Sequence, residues 1–117
     1  MPSPTLAELS TQLRDFARAR DWEQFHTPKN LALSLMIEAA EVAEHFQWTK
    51  ADKAEPLSAE QKQAVAHEIG DTLLYLLRLA DVLGIDPAQA AADKMVINAA
   101  RYPVDKSYGT SAKYDRL

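Results

Sequence analysis

Only three glycines serve the 117 residues of this chain, too few for the tight turns that a β-rich fold requires. Helix-capping signals instead divide the sequence into four apolar stretches. Thr5 followed by Glu8 has capping-box spacing and opens a run in which Leu6, Leu9, Leu13, Phe16 and Ala17 recur at three- and four-residue steps. Thr27-Pro28 joins an N-cap to a proline at the first helical position, and the helix it starts is predicted to reach about Trp48. Ser58 with Gln61 forms a second capping box, and the periodicity that follows persists to Gly84, the expected stop. Asp86-Pro87 starts a fourth helix that ends before Pro103. The predicted fold is all-α and four-helix bundle-like.

Residues 49–57 read as a short polar connection. After Pro103 the periodicity is lost, so residues 1–102 are expected to form the domain and residues 103–117 a surface tail. At about 1.5 Å per residue the third helix would span roughly 38 Å, long for so small a domain, which points to a partner subunit lying along it.

Composition excludes several classes of function. The absence of cysteine removes disulfide scaffolds, zinc ribbons, iron–sulfur sites and thiol nucleophiles. Thirteen Lys and Arg against seventeen Asp and Glu give a net charge of −4, a poor endowment for gripping a nucleic-acid backbone. No apolar run is long enough to cross a membrane, and the first ten residues lack the layout of a secretion signal, so a soluble, cytoplasmic protein is expected.

The candidate chemistry lies in carboxylates set among apolar residues. On a helical wheel of the second helix, Leu31, Leu35, Met36, Ala39, Val42, Ala43 and Phe46 occupy one broad arc, with Glu38 and Glu41 together at its edge. The third helix repeats the arrangement, with Glu68 and Asp71 three apart beside Ile69, Leu73, Leu76 and Leu83. Antiparallel packing would bring the two E-x-x-[ED] pairs into one poorly solvated pocket. Such a cluster must take up protons or recruit cations. Oxygen-only ligands suit Mg²⁺ or Mn²⁺, and an incompletely coordinated Mg²⁺ suits a polyphosphate substrate. A di-iron carboxylate bundle would need Glu-x-x-His, but Val42 and Ala64 stand three residues before His45 and His67. Ordinary solvated helix charges are the plainer reading of either pair alone.

These residues resemble the MazG-like all-α nucleoside triphosphate pyrophosphohydrolases, and most closely their dCTP pyrophosphatase branch. The superfamily pattern E-E-x-x-E, then E-x-x-D, is met by Ile37-Glu38-Ala39-Ala40-Glu41 and, after 26 intervening residues, Glu68-Ile69-Gly70-Asp71, with Ile37 replacing the first glutamate. The segments Arg20–Leu31, Phe46–Trp48 and Lys94–Pro103 carry the same likeness. The resemblance implies Mg²⁺-dependent hydrolysis of dCTP, or of modified deoxycytidine triphosphates, to the monophosphate and pyrophosphate, a house-cleaning role in the nucleotide pool. It implies Glu38, Glu41, Glu68 and Asp71 as metal ligands, Glu38 or Glu41 as the residue that activates water, and a homotetramer built as a dimer of dimers through the long helices. Mn²⁺ is the expected substitute metal. A related specificity such as dUTP, or a helical regulatory module without turnover, are the competing readings.

Other residues carry a plain and a functional reading. Trp22 and Trp48 flank the second helix and would serve core packing, but the resemblance implies that they wall a pyrimidine pocket, a flat base burying well against indole. Leu13 stands where the branch can carry a histidine. His26, just ahead of Thr27, is a turn residue by default and substrate-facing by resemblance, whereas His45 and His67 are read as structural or surface residues. Tyr75, one turn after Asp71, could reach a sugar or phosphate. Lys94, Asn98 and Arg101 share a face of the fourth helix, either a solvated basic face or phosphate and sugar contacts. No phosphate-cradling glycine loop is present.

Overall fold

The computed structural model describes residues 2–49 and 56–117, so most of the expected polar connection, residues 50–55, lies outside the described residues. The described residues are helical with no strand. The chain divides into two compact units, Met1–Ile85 and Asp86–Leu117.

The first unit holds α1 (Leu6–Ala19), a 3₁₀ turn (Glu23–Phe25), α2 (Pro28–Glu44) and α3 (Ala59–Leu83). Its helix starts are where the caps predict. The Thr5 and Thr27 hydroxyls accept from the amides of Glu8 and Asn30, and Ser58 with Gln61 closes a reciprocal capping box. Gly84 ends α3 at φ 69°, a left-handed position that costs glycine little. The end of α1 is less expected. Asp21 takes φ 55° there, while the Trp22 and Asp21 amides donate to the Ala17 and Arg18 carbonyls at 2.9 and 3.1 Å. This is a Schellman closure with aspartate in the glycine position. It turns the chain sharply and sets Trp22 beside Phe16, rings edge-on at 5.7 Å.

Two sequence expectations are corrected. The second helix ends at Glu44 rather than near Trp48, because the Phe46, Gln47 and Thr49 amides bond three residues back, to Ala43, Glu44 and Phe46, and tighten the chain into turns. The inward face of α2 also differs from the predicted arc. Leu31 is buried and Ser34, Leu35, Glu38, Glu41 and Val42 are half-buried, whereas Met36, Ala39, Ala43 and Phe46 are exposed. On α3 the exposed residues include Ile69, Leu76 and Leu83, and the packed ones include Val65, Leu77 and Ala80.

α3 is the spine of this unit, packing against both α1 and α2. Its interior is small: Ala17 from α1, Leu31 from α2, and Val65, Leu77 and Ala80 from α3. Alanines at the contact allow close helix approach. The glutamates therefore lie on the α2 face that packs, not at its margin.

The second unit begins with α4 (Pro87–Arg101), capped by Asp86, whose carboxylate accepts from the Ala88 and Gln89 amides. A short helix, α5 (Val104–Ser107), and a 3₁₀ turn (Tyr114–Arg116) follow. Tyr114 meets Tyr102 edge-on at 6.0 Å and lies under the Arg101 guanidinium at 4.6 Å, so the segment after Pro103 returns to the end of α4. No helix among the described residues is long and apolar enough to cross a membrane.

Candidate active site

Glu38 and Glu41 sit one turn apart on α2, and Glu68 on α3 meets them. One carboxylate oxygen from each lies within 4.8 Å of the others. Glu38 Oε2 and Glu68 Oε2 are buried and find no hydrogen-bond partner among the described residues. Burial first, then the charge of Glu41 and a hydrogen bond shared with it, and the charges of Asp71 and Glu68, hold the Glu38 carboxyl above its ordinary range. Glu68 is raised as well, first by its hydrogen bond to Glu41, then by burial and the charges of Glu41 and Asp71. His45 Nε2, 4.0 Å from Glu68 Oε1, offsets this in part.

Native structures seldom tolerate buried carboxylate oxygens without partners. The group has all-oxygen donors, two orphaned oxygens and mutual repulsion, which is the chemistry a hard divalent cation satisfies. The residues fit such an ion. Asp71, the fourth expected member, stands apart from this tight trio. It is exposed, its charge reaches Glu38 and Glu68, and its side chain lines an adjoining cavity.

That cavity, about 250 Å³, is bordered by Phe16, Trp22, His26, Asp71, Tyr75 and Arg78 among others. A second, of about 290 Å³, shares Trp22, His26 and Tyr75 and adds Phe25, Asn30 and Ser34. The Schellman turn delivers Trp22 to both. The Thr27 cap and the bond from Asn30 Nδ2 to the Phe25 carbonyl at 3.0 Å fix the segment that carries His26. An aromatic, mostly apolar recess thus lies next to the acidic cluster, linked to it through Asp71. A recess of this shape and lining suits a flat, mostly apolar ring.

The remaining expected site residues are Trp48 in the first unit and Lys94, Asn98 and Arg101 in the second. Trp48 is 86% exposed in the turns after α2 and lines neither of the cavities that Trp22 borders. Lys94 and Arg101 are exposed on α4 and Asn98 is half-buried there, its carbonyl capped by the Tyr102 amide.

Two features escaped the sequence reading. His45, taken as structural or surface, faces Glu68. Arg78, 7% exposed, is the buried charge of the first unit. Its Nε donates to His26 Nδ1 at 3.0 Å and its Nη1 to Asp81 Oδ2 at 2.9 Å. Asp81 also receives Nε and Nη2 of Arg14 at 3.1 and 2.6 Å. The available signal was R-x-x-D set inside the apolar run Leu76–Leu83, where unpaired charges would be costly.

The MazG-like family model matches residues 33–117. The chain is 42% identical to dCTP pyrophosphatase 1 of Mus musculus over 118 aligned positions, covering 99% of this chain and 69% of the relative. It is 41% identical to dCTP pyrophosphatase 1 of Homo sapiens, with the same coverage. Among solved structures, a pyrophosphatase from Archaeoglobus fulgidus superimposes with a TM-score of 0.76 at 43% identity, over 88% of this chain and 96% of that one.

Proposed function

The chain belongs to the MazG-like family, in its dCTP pyrophosphatase branch, and from that premise we propose that it hydrolyses dCTP to dCMP and pyrophosphate at a divalent-cation site built on Glu38, Glu41 and Glu68. It is a nucleotide pyrophosphohydrolase. The observation that carries the cation site is the trio of carboxylates within 4.8 Å, two of them with orphaned buried oxygens, beside an aromatic cavity.

Glu38, Glu41 and Glu68 would hold Mg²⁺, with Mn²⁺ as substitute, and Asp71 would complete the donor set from the cavity side. When bound, the ion neutralises phosphate charge and lowers the pKa of a coordinated water. The protein's own part is positional. Trp22 and Tyr75 would bracket the base and sugar, and His26 would offer a polar contact within the same recess. Glu38 and Glu41 are the carboxylates placed to take a proton from the attacking water. Lys94, Asn98 and Arg101 are proposed as phosphate or sugar contacts, and Trp48, which borders neither cavity of its own chain, as a further base contact from a neighbouring subunit of the proposed assembly.

Exposed Leu33, Met36, Ile37 and Phe46 on α2 or just beyond it, with Ile69, Leu76 and Leu83 on α3, support assembly through these helices, and a homotetramer is the proposed state. The proposed role is removal of dCTP or its base-modified analogues from the nucleotide pool.

A panel of individual nucleoside triphosphates with Mg²⁺, scored for pyrophosphate release, tests the reading. Preferential release from deoxycytidine triphosphates is expected. Preference for dUTP would move the base assignment, and no release from any nucleotide would overturn the substrate assignment.

A further inference from the structure

Arg78 is buried and forms the last link of a chain, Arg14–Asp81–Arg78–His26, that joins α1, α3 and the segment leading into α2. Asp81 takes one Arg78 N–H group, through Nη1, and His26 takes the Nε–H. The bond to His26 has a chemical consequence. A guanidinium has donors and no acceptor, so the Nδ1 atom that receives the Arg78 Nε–H must carry a lone pair. The ring proton of neutral His26 then resides on Nε2. Protonation of Nδ1 would set two N–H groups against each other across 3.0 Å.

We propose that Arg78 is a positioning residue: it fixes His26 in the Nε2–H form, so that the imidazole presents a permanent hydrogen-bond donor to an acceptor atom of the nucleotide base. This rests on the functional reading above and deepens it. His26 and Arg78 both border the cavity that also holds Trp22 and Tyr75, and the described residues provide no partner for His26 Nε2. A base stacked on indole in that recess would bring a ring carbonyl or an unprotonated ring nitrogen near the imidazole. Burial, and then the adjacent Arg78 charge, hold His26 below its ordinary value against a smaller opposing effect of Glu23, so the neutral ring is favoured. Without Arg78, a neutral histidine is free to carry its proton on either nitrogen, and a fraction of the molecules would offer the base a lone pair instead of a donor.

The experiment is a double-mutant cycle with the full chain, dCTP and Mg²⁺. Arg78→Met leaves Asp81 bonded to Arg14, and His26→Leu removes the donor outright. His26→Leu is expected to raise KM for dCTP about tenfold and Arg78→Met by up to about twofold, since only the fraction of rings in the wrong tautomer is lost, with the loss falling mainly on KM rather than kcat. The double variant should be no worse than the worse single, because Arg78 acts through His26. Additive losses, or a fall in kcat at unchanged KM, would overturn the proposal by showing a general structural role. Ring ¹⁵N NMR of the wild-type protein at pH 7 decides the same point without any variant. An unprotonated Nδ1 and a protonated Nε2 support it, and the reverse pattern overturns it. Failure of the wild-type protein to release pyrophosphate would remove the nucleotide ligand, while the ¹⁵N pattern still reads the Arg78–His26 geometry, so the two failures are told apart.

Discussion

α3 carries two sets of part-buried charges, ten residues or about 15 Å apart, and they are built on opposite principles. At Glu68 like charges converge from two helices, and two of their oxygens have no partner. At Arg78 and Asp81 opposite charges alternate, with each carboxylate oxygen of Asp81 satisfied by arginine. The first arrangement needs protons or a cation to balance it, whereas the second is complete in itself. Uncompensated charge makes the first set a candidate ligand site, and compensated charge makes the second a tie between elements.

The sharpest way to break this contrast is to remove one charge from each set. Glu68→Gln should reduce turnover by about 10²–10³-fold, the usual loss when a preorganised electrostatic contact to a reacting centre is deleted. The same change should leave the metal-free protein as stable as before or more so, since it removes a repelling charge. Steady-state kinetics and metal-free thermal melts on one preparation read both effects. A variant that keeps full turnover would remove Glu68 from the site.

Asp81→Ala should do the reverse to stability. It strips Arg78 of its carboxylate in a buried position and frees Arg14 at the surface. Losing one partner of a fully buried pair costs about 3–5 kcal/mol, and the half-exposed Arg14 brings the expected loss here to about 2 kcal/mol. Denaturant unfolding measures it. A change near zero would show that the network does not tie α1 to α3, and the contrast with Glu68 would lose its second half.

What was legible in the sequence follows the same division between local and long-range physics. Caps at Thr5, Thr27, Ser58, Gly84 and Asp86 were readable because each depends on neighbours within a few residues. The spacing of Glu38 with Glu41 and of Glu68 with Asp71 was readable for the same reason. The inward face of α2 was not. That helix is apolar nearly all round, so periodicity offers no single stripe, and contact with α3 turned Glu38 and Glu41 inward while leaving Met36 and Ala39 exposed. Likewise, nothing local brings Arg14 to Asp81, 67 residues away. The turn at Asp21 escaped notice because aspartate stands where a glycine would have announced it.

The smallest predicted effect separates the two charge sets by pH. Glu38 and Glu68 are raised above the ordinary value of 4.5, so on the way down from neutral pH the folded, metal-free protein takes up protons before the unfolded chain does. Their repulsion therefore destabilises the protein fully at neutral pH, and it fades as pH falls through the raised values toward 4.5. Asp81 runs the other way. Held below 3.8, chiefly by Arg14, it contributes stability that is present above that value and lost as pH falls through its depressed folded-state value. His26, held below 6.5, also loses stability on acidification, starting near 6.5, and would mask the carboxylate effect in the wild-type protein alone. The difference between Glu68→Gln and wild type cancels that contribution. The melting-temperature advantage of the metal-free variant should be largest at neutral to alkaline pH and shrink as pH falls toward 4.5. Saturating Mg²⁺ should invert its sign at pH 8, because only an intact trio gains from a cation bound by the folded state. An advantage that does not vary with pH, or that Mg²⁺ leaves untouched, would mean that the carboxylates neither repel one another nor share an ion, and the two ends of α3 would then differ only in sequence.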